Sequence, residues 1–222
     1  MKFEQKTVEI LKSFTGVNPA MVFNPGNVLR VRTSTGTVVA KATIAESFEK
    51  QFAIEDVPQF LNMLSLVDDY DVDFAEDVIQ VKGKGRKIKY NYTSLALVKE
   101  AKNIKIPGEP KVTFTLTQED LNKSLKALGI LSLDHLVVVG FEGKLLIRVE
   151  ADKVGAQGNH HDIEIGETDQ TFNAVFKAEY MRLYPGDYKV DIYVIGEQVV
   201  SSFIGPDVEY FIAVEAEKST FE

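Results

Sequence analysis

Gly26-Asn27-Val28-Leu29-Arg30-Val31 and Gly143-Lys144-Leu145-Leu146-Ile147-Arg148-Val149 say the same thing twice: a glycine, a polar residue and an aliphatic run closed by Arg-Val. Each follows a helical stretch ending in Leu-Lys, at Leu11-Lys12 and at Leu125-Lys126. Farther on, Asp69-Tyr70-Asp71-Val72-Asp73-Phe74 is echoed by Asp187-Tyr188-Lys189-Val190-Asp191-Ile192. The matched positions Leu11/Leu125, Gly26/Gly143 and Asp69/Asp187 lie 114, 117 and 118 residues apart. One long period with small drift means two copies of a single domain, not a solenoid of short units.

The 222 residues suit two domains of about 100–110 residues each. With 45% hydrophobic residues, each half can bury its own core. The absence of cysteine excludes disulfides, thiolate chemistry and zinc–thiolate sites, and it suits a reducing compartment. Met1-Lys2-Phe3-Glu4-Gln5-Lys6 lacks the apolar core of a signal peptide, and no stretch approaches a membrane span, so a cytosolic chain without a membrane partner is expected. A net charge of −8 disfavours nucleic acid on whole-molecule charge alone, which makes the distribution of charge decisive.

Residues 3–14 read as a helix with Thr7, Ile10, Leu11 and Phe14 on one face, stopped by Gly16, Asn18 and Pro19. Alternating segments follow at 20–24, 27–33 and 37–44, separated by Asn24-Pro25-Gly26 and Ser34-Thr35-Gly36 turns. Asp56 and Pro58 open a short helix carrying Phe60, Leu61 and Leu64, and strands resume at 70–74, 77–82 and 86–92. Ile106-Pro107-Gly108-Glu109-Pro110 is linker chemistry. The expected organisation is a domain over 1–93, a connector over 94–111 and a second domain over 112–222. There, Thr117-Gln118-Glu119-Asp120 starts a helix burying Leu121, Leu125 and Leu128. Strands are expected at 135–141, 144–150, 161–166, 169–174, 187–195, 197–204 and 208–216, with a short helix over 177–184. The fold class is α+β, each domain having two helices on one side of antiparallel sheets.

Lys6-Thr7-Val8-Glu9-Ile10-Leu11-Lys12-Ser13-Phe14, Leu61-Asn62-Met63-Leu64-Ser65-Leu66-Val67-Asp68-Asp69, Tyr184-Pro185-Gly186-Asp187-Tyr188-Lys189 and Tyr210-Phe211-Ile212-Ala213-Val214-Glu215-Ala216 resemble the sliding clamps of T4-type bacteriophages. The similarity runs over the whole chain, with poor matches in the connector and in the 152–162 loop. It implies a DNA-clamp fold that assembles head to tail into a homotrimeric ring. Such a ring encircles double-stranded DNA, tethers the replicative DNA polymerase and catalyses nothing, and it needs no cofactor. An ATP-driven clamp loader and late-transcription factors, a sigma protein or co-activator, are further implied partners, in the cytoplasm of the infected bacterial host.

Seven cations, Lys2, Lys6, Lys12, Lys123, Lys126, Lys177 and Arg182, fall on the predicted helices against six acids, so the helices are less acidic than the rest of the chain. On the sequence alone, solvated helix faces explain such lysines better; the resemblance turns them toward DNA phosphates. It also implies a groove for apolar polymerase tails beside the connector, formed by Val38, Leu95, Leu97, Val98, Ile104, Ile106, Pro206 and Val208. Those residues would equally staple the connector onto its sheet. Ile163 and Ile165, in His161–Gly166, are the expected subunit-interface edge, with Lys87–Tyr92 as its opposite.

Two other functions compete. The run Asp68–Asp73 could hold a metal for a nuclease or phosphatase, but strand alternation sends Asp69, Asp71 and Asp73 to solvent, and no calcium-loop glycine is present. The other is a transcription-associated binding module without a ring. Lys82-Gly83-Lys84-Gly85-Arg86-Lys87 lacks phosphate-loop spacing and reads as a hairpin. His160-His161, after Gly155 and Gly158, reads as a surface loop with no third metal ligand. No Gly-x-Ser-x-Gly elbow occurs.

Overall fold

The computed structural model describes residues 1–151 and 159–222, so Gly155 and Gly158 lie outside the described residues. Thr7, Ile10, Leu11 and Phe14 form the buried stripe of α1 (Gln5–Thr15). The helix starts later than its pattern suggests, because Phe3 turns inward among the rings of Phe48, Phe60 and Phe74. Then come β1 (Met21–Phe23), β2 (Gly26–Arg32), β3 (Val38–Phe48), β4 (Phe52–Ile54), α2 (Val57–Leu64), β5 (Asp71–Phe74), β6 (Val78–Gly83) and β7 (Arg86–Asn91). Asp56 caps α2 by accepting the Gln59 N–H at 2.8 Å, as its sequence position implies. β1 pairs with β4, β2 with β3, and β5-β6-β7 form a three-stranded sheet, all antiparallel.

A 3₁₀ turn over Leu95–Leu97 precedes the second half. There follow β8 (Val112–Leu116), α3 (Gln118–Leu131), β9 (His135–Phe141), β10 (Lys144–Glu150), β11 (His161–Glu167), β12 (Phe172–Lys177), β13 (Tyr188–Ile195), β14 (Gln198–Ile204), β15 (Val208–Ala213) and β16 (Thr220–Phe221). One sheet has the order β11-β10-β9-β12-β16; β15-β14-β13-β8 are successive neighbours in another. Thr117 caps α3 by accepting the Asp120 N–H at 3.1 Å, and its hydroxyl donates to the Asp120 carboxylate at 2.6 Å. The chain divides into a first unit, Met1–Ile104 with Asp207–Glu209, and a second, Lys105–Pro206 with Tyr210–Glu222.

The fourth helix expected over 177–184 is instead a single 3₁₀ turn, Ala178–Met181. N–H groups of the expected helix are claimed from outside it: Ala178 donates to the Asp134 carbonyl at 2.9 Å, and Tyr184, beyond the turn, to the Tyr210 hydroxyl at 2.9 Å. An α-helix would need the Tyr184 donor for the Tyr180 carbonyl. The strand expected at 169–174 is shifted to Phe172–Lys177, since the Gln170 N–H bonds the Thr168 hydroxyl in a local turn. Leu125 is only half-buried; Ser124 takes the core position, its hydroxyl donating to the Asp120 carbonyl.

The core of the first unit is aromatic. Phe23 stacks on Phe52 at 4.8 Å, Phe52 on Phe74 at 4.9 Å, and Phe48 meets all three edge-on. Each such pair contributes about 1 kcal/mol beyond its buried area. The second unit relies on aliphatic strand residues, Leu136, Val138, Ile147 and Val190, together with Phe176, Phe203 and Tyr188.

Candidate functional site

On α1, the buried stripe leaves Lys6 and Lys12 on the solvent side. Lys6 pairs with Asp207 at 2.5 Å. Lys12 lies in the last turn, where a cation meets the negative end of the helix dipole. Lys2 precedes the helix and pairs with Asp69. Their mutual hydrogen bond and charge raise the lysine pKa and lower that of the carboxyl.

In the second unit, Lys123 and Lys126 line a shallow cleft of about 670 Å³ at the start of α3, with Gln118, Asn122 and Asp187. Lys123 is tied to Glu119, one turn back, at 2.7 Å, which raises its pKa and lowers that of the acid. Lys177 and Arg182 meet in another cleft of about 630 Å³, between the second half of α3 and the 3₁₀ turn. Lys177 lies 3.6 Å from Glu215. The predicted cations thus assemble as Lys123 with Lys126 and Lys177 with Arg182, and several hold a carboxylate of their own. His135, buried beside Asp134 in the same cleft as Lys177 and Arg182, had no distinguishing sequence signal.

The expected groove residues split by burial. Val38, Val98 and Val208 are core side chains, which corrects the expectation that they present apolar surface. Val98 packs with Val22 and Ala53, so it staples the start of the connector. Leu97 is 73% exposed and Leu95 43%; Pro206 is exposed, and Ile104 and Ile106 are half-buried. The Ser94 hydroxyl accepts the Ala96 N–H at 3.3 Å and fixes the turn that holds Leu95 and Leu97 outward.

β11 is the terminal strand of its sheet, and Ile163 and Ile165 are its half-buried positions. Arg148 on β10 grips Asp162 through two 2.8 Å bonds, and Lys144 holds Glu164 at 2.9 Å. Beside it, Ala127, Ile130 and Leu131 of α3 form an apolar surface reaching His161, which begins the strand instead of lying in a loop. Ile130 is 70% exposed, and its spacing from Leu121 and Leu128 on α3 marks it as off the core stripe. β7 is terminal in the three-stranded sheet; its Tyr90 ring packs on Phe60 of α2 at 5.7 Å.

The aspartate run behaves as strand alternation requires: Asp71 and Asp73 are exposed, and Val72 is buried. Among the described residues no group of carboxylates and histidines is placed to hold a metal ion. Lys82–Lys87 is the β6–β7 hairpin, turning at Lys84 and Gly85, both with positive φ. Among those residues, too, no helix is long and apolar enough to cross a membrane.

Residues 2–105 match the family described as DNA polymerase processivity factor, and residues 113–216 match the C-terminal part of the gp45 sliding clamp. The sliding clamp of Vibrio phage KVP40 is 35% identical over 97% of this chain and 100% of its own length. The chain belongs to the sliding-clamp family of T4-type bacteriophages. The clamp of Enterobacteria phage T4 is 28% identical over 99% of both chains. PCNA from Thermococcus kodakaraensis superposes with a TM-score of 0.65 at 15% identity, over 96% of this clamp and 98% of that chain. The DNA polymerase III subunit beta from Pseudomonas aeruginosa gives 0.63 at 12%, over 94% of this clamp and 62% of that chain. Both likenesses are of fold. The clamp is therefore a phage processivity factor for DNA polymerase, an accessory protein by family.

Proposed function

We propose that the clamp closes as a homotrimeric ring around duplex DNA and tethers the replicative polymerase, performing no chemistry itself and using no cofactor. The observation that carries this reading is the duplicated α+β unit with an open terminal strand in each copy, β7 in the first and β11 in the second. Head-to-tail pairing of unlike edges is the arrangement that closes a ring, and it satisfies backbone groups that an open edge leaves bare. Ile163 and Ile165 are the apolar positions of that contact, with domains over 1–93 and 112–222 flanking a connector over 94–111.

Lys2, Lys6, Lys12, Lys123, Lys126, Lys177 and Arg182 are the cations that meet phosphates, without reading bases. Weak phosphate attraction is what a sliding ring requires, because each tight contact resists motion. Leu95, Leu97, Ile104, Ile106 and Pro206, exposed or half-buried, are the residues assigned to an apolar polymerase tail, whereas Val38, Val98 and Val208 are buried. An ATP-driven loader opens the ring, late-transcription factors use the same clamp, and the work takes place in the host cytoplasm.

Light scattering after size exclusion tests the assembly: the expected mass is three times the 24.8 kDa chain, with Ile163→Asp reducing it to one. Loading onto nicked circular duplex tests the topology. Cutting the circle should release the clamp, and retention on the linear product would overturn the ring.

A further inference from the structure

The two terminal strands carry opposite charges in the same alternation. From Val78 to Asn91 the β6–β7 hairpin contains Lys82, Lys84, Arg86, Lys87 and Lys89 and no acid, in a chain of net charge −8. From His161 to Glu167, β11 contains Asp162, Glu164 and Glu167 and no lysine or arginine. On β7, Lys87 and Lys89 are exposed while Ile88 and Tyr90 are half-buried on the other face. On β11, Asp162 and Glu164 are exposed while Ile163 and Ile165 are half-buried. Charge and apolar side chain therefore alternate in step on the two edges.

The surroundings sharpen the match. Lys87 stands directly opposite Lys82 on β6, a like-charge pair that destabilises its own sheet. Lys89 stands opposite Gln80. None of Lys82, Lys87 and Lys89 has an ion pair among the described residues; Lys82 faces Asp71 across β5, whereas Lys87 and Lys89 on the terminal strand face no acid across theirs. Asp162 and Glu164 are held from the inner side by Arg148 and Lys144 of β10. A carboxylate has about four acceptor positions, so each can take a second cation from the open side of the strand.

We propose that a second copy of this chain docks basic β7 against acidic β11, and that this charge pairing sets the direction and salt sensitivity of ring closure. The proposal rests on the ring reading and adds what orients it. Any register that moves by two residues keeps lysine against carboxylate and isoleucine or Tyr90 against isoleucine. A slip of one residue sets charge against apolar side chain and is rejected. Pairing β7 with β7, or β11 with β11, sets like charges together, which guards two open edges against head-to-head association. The charged face is exposed, so salt screens the attraction and shortens the life of the closed interface.

The test uses the full chain, measuring trimer formation by sedimentation equilibrium at about 50 mM and about 500 mM salt, either side of the physiological screening range. Lys87→Glu with Lys89→Glu breaks no ion pair within the chain, and it should weaken association by about a hundredfold through like-charge contact. Adding Asp162→Lys and Glu164→Lys to that same chain should restore trimer at low salt. Lys87→Gln with Lys89→Gln should weaken it less and flatten its salt dependence. A trimeric wild type whose affinity is unchanged by Lys87→Glu with Lys89→Glu overturns the charge pairing and leaves the ring standing. Failure of the four-residue exchange to recover, with amide protection along β11 as in the wild type, overturns it as well. A wild type that stays monomeric at tens of micromolar removes the ring reading itself.

Discussion

Arg148 and Asp162 face each other across β10 and β11, joined by two N–H···O bonds of 2.8 Å each. This planar fork is the geometry that distinguishes arginine from lysine at a carboxylate. It holds the Asp162 carboxyl below the usual carboxylate range and the Arg148 guanidinium above its own. A depressed carboxylate pKa stabilises the fold at all pH values above the unfolded value of about 4, and the contribution fades as pH falls through the lower folded value. Measured against its intrinsic rate, amide exchange along β11 should therefore accelerate selectively in acid. At neutral pH, Asp162→Asn should raise it by about fivefold, the range of a half-exposed ion pair. Equal exchange in both proteins would show that the fork does not anchor the edge.

Tyr92 gives a prediction at the other end of the pH scale. Burial, with Asp73 nearby, pushes its hydroxyl up to about 12, and that hydroxyl donates to the Ala75 carbonyl at 3.0 Å. The folded state holds this proton more tightly than the unfolded one, so the contribution is complete below about pH 10 and is lost between there and the folded value. Ultraviolet titration should show a late-ionising tyrosine that disappears in Tyr92→Phe. That variant should lose about 1 kcal/mol at pH 8.

Leu97 and Val208 separate partner binding from packing. Val208 is 3% exposed, and Val208→Ala should cost on the order of 2 kcal/mol of stability through a cavity. Leu97 is 73% exposed, and Leu97→Ala should leave the melting temperature unchanged. If the surface around Leu97 receives the polymerase tail, Leu97→Ala alone should reduce polymerase stimulation, by about tenfold or more for an anchor residue. Full stimulation would limit the connector to a packing role.

Lysines that carry a carboxylate and lysines that do not should differ toward DNA. Lys12 and Lys126 have no ion pair among the described residues, whereas Lys123 is bonded to Glu119 and Lys177 lies near Glu215. Lys126→Ala should weaken loaded-clamp retention more than Lys123→Ala, and both should act alike on every DNA sequence. Dependence on one sequence would point to base contacts.

The repeat was legible because strand and cap signals survive in both copies. Gly26 and Gly143 each sit at positive φ just at or before β2 and β10, where a side chain is disfavoured. Thr117, Asp56 and the alternation of Asp71-Val72-Asp73 also read directly. Short elements did not. β4 has three residues and β16 two, below any useful periodicity, and β8 lies against a proline-rich linker although Val112, Phe114 and Leu116 alternate. The 3₁₀ turn at Ala178–Met181 depends on Asp134 and Tyr210, which are distant in sequence. Within the candidate surfaces, cation identity was visible but not its local carboxylate. The burial of Val38 and Val208 is tertiary and leaves no mark on their own segments.

If the proposed lysine–phosphate contacts form, Glu119, Glu215 and Asp207 give them the character of an exchange reaction. A phosphate that takes Lys123, Lys177 or Lys6 competes with a carboxylate already there. The freed carboxylate then gathers a counterion from solution, offsetting the one released by the DNA. The net free energy of each contact is small and its salt dependence shallow, so successive phosphates are nearly interchangeable to the protein. Passage from one to the next meets a low barrier, and resistance along the duplex is set by the difference between two similar partners, not by the strength of either.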